Sequence, residues 1–314
     1  MKRLLIIDGQ NMFIRNYVVS PQLDINGNPI GGLTGFLRSL QKEVRRAKPD
    51  RVAICWEGPG GSQSRREKNK NYKLGRKPPR LNREYEFSTP EEERENKYSQ
   101  LVRLTQYLDK LPVLQLSLEN MEADDIIAWL CHCNEYSEWQ KLIISNDKDF
   151  IQLCDDKTVL VRPGKNEEVL NQNTVLEQYS IHPRNFAWAR AITGDKSDNL
   201  EGVKGLGLAT VAKRFSFLSG NMDYGLRDIL THAKNNNSKI KAYQSVLDNK
   251  EIIASNYEIM QLYTSTISSQ GVHKLKYALK NDGIILSRSE IRKMLLKDGI
   301  GTLNIDDLML ILNS

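Results

Sequence analysis

The chain of 314 residues has no run of about 18 consecutive apolar residues, so no membrane-spanning helix is expected. Its four cysteines (Cys55, Cys131, Cys133 and Cys154) are too few and too irregularly spaced for a disulfide framework, which fits a reducing, cytoplasmic setting. Histidine chemistry is scarce as well. His182, His232 and His273 have no partners in sequence, and the alternating spacing of Cys131-His132-Cys133 scatters those side chains around a helix. Neither a zinc cluster nor a histidine nucleophile is therefore expected. No signal peptide is expected either, because Met1-Lys2-Arg3 runs into Leu4-Leu5-Ile6-Ile7-Asp8, an apolar core too short for one. No internal repeat is visible. Apolar residues make up 39%, enough for a core, under a polar surface with mean hydropathy -0.51 and a net charge of +6.

Leu4 to Ile7 reads as a short buried strand ending at Asp8-Gly9. Gly35 to Ala47 has helical spacing, with Phe36, Leu37, Leu40 and Val44 on one side and basic residues on the other. Arg51 to Cys55 reads as a second strand, ending at Trp56-Glu57-Gly58, and Lys141 to Ser145 as a third, ending at Asn146-Asp147. Strands alternating with helices predict an α/β fold with a mostly parallel, doubly wound sheet. Between the second and third strands, Gly58 to Glu95 opens with Gly-Pro-Gly-Gly. From 65 to 80 it carries Arg65, Arg66, Lys68, Lys70, Lys73, Arg76, Lys77 and Arg80 against the single acid Glu67. A helix resumes at Thr89, with Pro90 in the first turn and Glu92 completing a capping box. Tyr98, Leu101, Leu104, Leu108 and Leu111 are expected on its buried face. After about residue 185 the chain turns helical with Gly and Lys, which divides it into 1–185 and 186–314; residues 216–314 carry no motif that assigns them a role.

Asp8, Glu57 and Asp147 each stand just beyond a short apolar strand, and open parallel sheets bind ligands outside those strand ends. Any one of them could be a turn or cap acid; three at one edge form a constellation. Glu122-Ala123-Asp124-Asp125 begins an apolar helix, with Glu122 and Asp125 on one face. An acid in a first turn complements the helix dipole, but one would suffice. Asp147-Lys148-Asp149 and Gly194-Asp195-Lys196-Ser197-Asp198 supply the rest. If these nine acids converge, they cannot all stay ionised without cations. Oxygen ligands alone select Mg²⁺, or Mn²⁺ in its place, and two such ions about 4 Å apart suit phosphodiester displacement. Set aside from the net charge, the nine acids leave a strongly basic remainder, which fits a phosphate polymer.

These strings resemble the structure-specific 5′-nucleases: flap endonucleases, the N-terminal nuclease of bacterial DNA polymerase I, and stand-alone bacteriophage 5′–3′ exonucleases. The matching stretches are LLIIDGQN, EADD at 122–125, SNDKDF at 145–150 and GDKSDNLEGVKGLGLATVAKRF at 194–215, together spanning 1 to about 215. The resemblance implies a PIN-like nuclease core, a helical arch at about 58–100 and a helix–hairpin–helix. It implies two Mg²⁺, one held by Asp8, Glu57, Glu122 and Asp124, the other by Asp125, Asp147, Asp149, Asp195 and Asp198, with sharing near Asp124 and Asp125. The family usually reads Phe-Asp-Gly where this chain has Trp56-Glu57-Gly58, which moves the charge one methylene outward.

By the same resemblance, Lys73 and Arg76 steer the scissile phosphate, and Arg65 or Arg66 shares this work. Lys204, Gly205, Gly207 and Lys213 meet the DNA backbone, and backbone carbonyls of the hairpin hold K⁺. Tyr17 and Tyr72 are candidates for base stacking, against a packing role. The implied function is two-metal hydrolysis of 5′ flaps and 5′ ends of branched, nicked or overhanging DNA, RNA primers included. A free-standing monomer in the cytoplasm, the host's if phage-encoded, is expected. An inactive homologue that binds branched DNA is the alternative, although none of the nine acids is replaced by a neutral residue. A PIN-type ribonuclease would lack the arch and the hairpin.

Overall fold

The computed structural model describes residues 1–75, 87, 89–236, 240–264, 267–280, 287–300, 303–304 and 307–308. Along the chain run β1 (Arg3–Asp8), α1 (Gly9–Val19), α2 (Gly31–Ala47), β2 (Arg51–Cys55), α3 (Gln63–Lys68), α4 (Pro90–Leu108), β3 (Leu114–Leu116) and α5 (Ala123–His132). Then come β4 (Gln140–Ile144), β5 (Thr158–Arg162), β6 (Glu168–Leu170), α6 (Gln172–Tyr179), α7 (Pro183–Thr193) and α8 (Leu208–Arg214). The chain continues through α9 (Leu226–Asn236), α10 (Lys241–Asp248), α11 (Lys250–Met260), α12 (Ser269–Lys280) and α13 (Arg288–Lys297).

The strands form one sheet in the order β3-β2-β1-β4-β5-β6, parallel except for β6, which runs antiparallel to β5. Sequence patterning finds β1, β2 and β4 and misses β3, β5 and β6, two of which are only three residues long. The unbroken apolar run in β1 reflects a strand covered on both faces. Its period of two sends Leu4 and Ile6 into one packed layer and Leu5 and Ile7 into the other, and all four are fully buried. Ala53 and Cys55 of β2 join the first layer; Val52 and Ile54 join the second.

Helices α1, α2 and α4 cover the layer of Leu5 and Ile7. Thr89 caps α4 by accepting from the Glu92 N–H at 3.2 Å, with Pro90 at its start, as its sequence predicts. Leu104, Leu108 and Leu111 are buried as expected, but Tyr98 is 68% exposed and Tyr107 takes the inward position. Ile291, Ile300, Leu303 and Leu308 pack into this same layer. Asp298 locks the C-terminal segment there, accepting from Arg103 at 2.7 and 3.1 Å and from the Tyr107 hydroxyl at 2.8 Å.

The opposite layer runs without a break from Leu4 and Ile6 through α5 to Phe186, Val211, Ile253 and Leu275. Packing is therefore continuous across residue 185, where composition changes. Among the described residues no helix is long and apolar enough to cross a membrane.

Candidate active site

The strand ends deliver the acids. Asp8 closes β1 and caps α1: its Oδ1 accepts from the Asn11 N–H at 3.0 Å and its Oδ2 from the Ser145 hydroxyl at 2.8 Å. Burial pushes its carboxyl up to about 6, with nearby Asp147 adding to the rise and the Asn11 and Ser145 bonds opposing it. Beyond β2, the Trp56 N–H bonds to the Leu116 carbonyl at 2.8 Å and the Gly58 N–H to the Met121 carbonyl at 3.1 Å. A side chain at Gly58 would stand 1.8 Å from the Leu118 carbonyl oxygen, so only glycine permits this approach. The approach brings exposed Glu57 beside the first turn of α5, where its Oε1 accepts from the Ser62 hydroxyl at 3.4 Å.

Glu122 precedes α5, and Asp124 and Asp125 lie in its first turn. Burial raises the Glu122 carboxyl, but Arg65, Lys73 and Ser62 outweigh it and hold the group below the usual range. Burial, then the charges of Asp147 and Glu122, push Asp124 well above its ordinary value. After β4, Asp147 Oδ1 accepts from the Asp149 N–H at 2.8 Å. A cleft of 740 Å³ joins these groups: Asp8, Glu57, Lys73, Glu122, Asp124 and Asp147 line it, with Arg15 of α1 and Lys97 of α4 on its flanks.

Three of the remaining acids are bound to arginines. The Arg65 guanidinium, which sequence reading assigns to DNA, is buried and donates to Glu122 and Asp125. Helix spacing does place those two carboxylates on one side, and Arg65 bridges them. Arg190 joins Asp149, at 3.0 Å from its Nε, to Asp195. Burial and Asp147 raise Asp149 to about 7 against the pull of Arg190. Burial also acts upward on Asp195, but the Ser197 hydrogen bond and Arg190 overcome it and hold that carboxyl low. Asp198 borders a small void beside Arg65, Tyr72, Asp124 and Asp149. Among the described residues, no three acid, His or Cys side chains already stand as an ion cage.

Sequence reading missed Arg190. Its signal is a cation five residues before Asp195, set in the apolar stretch of a helix whose Phe186, Trp188, Ala189, Ala191 and Ile192 are all buried. Cys131 and Cys133 are buried as free thiols, as expected of core residues.

Lys73 reaches Glu122 with its ammonium at 2.8 Å. Arg66 is exposed, and Arg76 lies outside the described residues. Tyr17 and Tyr72 are buried, so packing prevails over base stacking: Tyr17 lies against Phe13, and the Tyr72 hydroxyl bonds to Glu122 at 3.2 Å. The 202–207 turn is fixed by the Val203 N–H on the Ile192 carbonyl at 2.8 Å, while Gly205 takes a left-handed φ of 83° at its exposed tip. Lys204, Gly205, Gly207 and Lys213 all lie exposed, with Gly207 directly preceding α8. Helix α11 supports the whole arrangement. Its Asn256 side chain donates to the carbonyls of Ala191 and Glu201 at 3.0 and 2.8 Å, and its Tyr257 stacks on Trp188 at 3.6 Å. Nothing in the patterning of 216–314 pointed to that role.

Residues 3–180 match the family model described as 5′-3′ exonuclease, N-terminal resolvase-like domain. A 5′-3′ exonuclease of Buchnera aphidicola subsp. Schizaphis graminum is 30% identical over 221 residues, covering 68% of this chain and 71% of that protein. The thermostable DNA polymerase I of Thermus aquaticus is 31% identical over 212 residues, which are 67% of this chain and 23% of the polymerase. A T5 protein crystallised with metal ions has the same fold, with a TM-score of 0.65 at 18% identity over 94% of this chain and 98% of that one. The bacteriophage T5 flap endonuclease in a pseudo-enzyme–product complex with DNA and metal ions gives 0.64 at 18% identity, with both chains fully covered.

Proposed function

Given that this chain belongs to the 5′-3′ exonuclease family and is a nuclease, we propose that it hydrolyses phosphodiesters at 5′ flaps and 5′ ends of DNA. Its substrates on this reading are branched, nicked, overhanging or RNA-primed duplexes, and it works as a monomer with divalent cations. The observation that carries the reading is the gathering of Asp8, Glu57 and Asp147 from three strand ends, and of Glu122 and Asp124 from the start of α5, into one cleft that also admits Lys73.

The donor set fits a hard cation. It offers only oxygens, and two of its carboxyls, Asp8 and Asp124, are driven upward by burial and by neighbouring charge. Such crowding favours Mg²⁺ or Mn²⁺. Asp125, Asp147, Asp149, Asp195 and Asp198 would hold a second ion, but Arg65 and Arg190 already balance three of them, so that ion binds more weakly. Bound cations supply acidified water and charge neutralisation at phosphate.

The chain's own side chains do the rest. Lys73 places an ammonium at the cleft where a scissile phosphate gains charge. Arg15, Arg66 and Lys97 present cations along the route of the backbone. Lys204 and Lys213 with the N–H groups of Gly205 and Gly207 hold the duplex, and hairpin carbonyls would hold K⁺.

The test is cleavage of a 5′-labelled flap with Mg²⁺ or Mn²⁺, beside reactions with EDTA or Ca²⁺. Cutting near the junction with Mg²⁺ and none with EDTA is expected. Tight flap binding without cutting in either ion would replace the enzyme with a branched-DNA-binding protein.

A further inference from the structure

Four donors converge on Glu122, and all come from residues 62–73. Its Oε1 accepts from the Ser62 hydroxyl at 2.6 Å and from the Lys73 ammonium at 2.8 Å. Its Oε2 accepts from the Arg65 guanidinium at 2.6 Å and from the Tyr72 hydroxyl at 3.2 Å. Arg65 has the longest reach of the four. It also donates to both oxygens of Asp125, at 3.0 and 3.2 Å, and through Nε to the Ile259 carbonyl of α11 at 3.1 Å. One residue, 9% exposed, thus ties the basic segment to the first turn of α5 and to the C-terminal half of the molecule.

We propose that Arg65 is a positioning residue for cleavage: it fixes the base of the basic segment on Glu122 and Asp125 and so sets where Lys73 stands over the cleft. This rests on the nuclease reading above. A planar guanidinium shared between two carboxylates has little rotational choice, and moving it would leave buried charge uncompensated. The chain from Arg65 to Lys73 has correspondingly little slack. Asn69 bonds back to the Arg65 carbonyl at 2.9 Å and Tyr72 to the Asn69 carbonyl at 3.0 Å. Lys73 itself sits at a φ of 54°, a left-handed backbone that a lysine keeps only where its surroundings impose it. Arg65 is spent on these contacts, which leaves phosphate to the exposed Arg66 and Lys68.

The test is a double-mutant cycle on single-turnover flap cleavage, with Arg65→Gln, Lys73→Ala, the two combined, and Arg65→Lys. Arg65→Gln should slow cleavage about tenfold with flap affinity within about threefold, and Lys73→Ala should slow it about a hundredfold. If Arg65 acts through Lys73, the double variant should be no more than about twofold slower than Lys73→Ala alone. Arg65→Lys should recover part of the rate. Effects that multiply, an unchanged rate in Arg65→Gln, an unchanged rate in Lys73→Ala, or a loss confined to affinity would each overturn the proposal.

Trypsin digestion of the full chain without DNA or metal gives a readout independent of activity. Arg65→Gln should speed cutting at Lys68, Lys70 and Lys73 several-fold while other sites stay as slow as in the parent. Equal acceleration over the whole chain, or none at these three, would overturn the anchoring role. A parent protein that cuts no DNA would count against the nuclease reading, and the digestion would still decide whether Arg65 anchors the segment.

Discussion

The main-chain N–H of Lys73 donates to the main-chain carbonyl of Asp198 at 2.9 Å. The Asn199 side chain adds a second bond, to the Asn71 carbonyl, also at 2.9 Å. The basic segment and the Gly194–Asn199 loop, which are far apart in sequence, therefore share an edge beside the acids. A change on either side is felt at the cleft.

Asp147→Ala should lower flap cleavage by about a thousandfold or more, since it removes a carboxylate from the cleft and no phosphate contact. Flap affinity measured in EDTA should stay within about threefold of the parent. Full activity in this variant would remove Asp147 from the proposed ligands.

Asp8 predicts a pH dependence of stability. Its folded carboxyl is raised to about 6 from an ordinary 3.8, first by burial, so the folded protein holds a proton that the unfolded chain has released. The folded state is therefore favoured below the lower value, and that advantage is lost as pH rises through the upper one. Asp8→Asn keeps an oxygen for the Asn11 N–H and removes the buried charge. Metal-free protein carrying it should be more stable at about pH 7.5, on the order of 2 kcal/mol, with no gain at about pH 4. Thermal unfolding in EDTA at both pH values checks this; a lower Tm at about pH 7.5 would contradict it.

Lys204→Ala and Lys213→Ala should weaken binding to every flap sequence alike. Each should also reduce the slope of log affinity against log salt by about 1. Titrations over a range of salt concentrations measure this directly. A weakening that leaves the slope untouched would mean that these lysines do not meet phosphate.

Gly58→Ala should destabilise the protein by about 2–4 kcal/mol, because the new carbon falls on the Leu118 carbonyl oxygen. Gly164, with open space around it, is the control: Gly164→Ala should change stability by less than about 0.5 kcal/mol. Denaturant midpoints for the pair would measure the cost of crowding that approach, and equal midpoints would contradict it.

Much of this site was legible because strand ends announce themselves. Apolar runs at 4–7 and 52–55 each stop near an acid, and the parallel sheet brings those stops to one edge. Asp124 and Asp125 opening an apolar helix were equally plain. Pairings over long separations were not. Arg65 lies 57 residues from Glu122 and Arg190 lies 41 from Asp149, and in a linear reading Arg65 looked like a DNA-contacting cation and Arg190 like nothing at all. The strands β3 and β6 are too short to show a period. Tyr98 fitted a helical stripe whose inward direction is set by α2 and the sheet, which one helix cannot reveal alone.

The matched N-terminal domain and the packing draw their borders in different places in this molecule. The family model's match stops at residue 180, but α11 holds up the acids from well beyond it. Arg65 ends on Ile259, the Gln152 side chain clasps the Met260 carbonyl and the Leu262 N–H, and Asn256 grips the loop ahead of the hairpin. A graft cut at residue 180 would carry every acid up to Asp149 into its new host with the scaffolding left behind. Whoever transplants this nuclease should move it at least past Leu262, and the packing of Leu275 and Ile291 argues for the C-terminal helices as well.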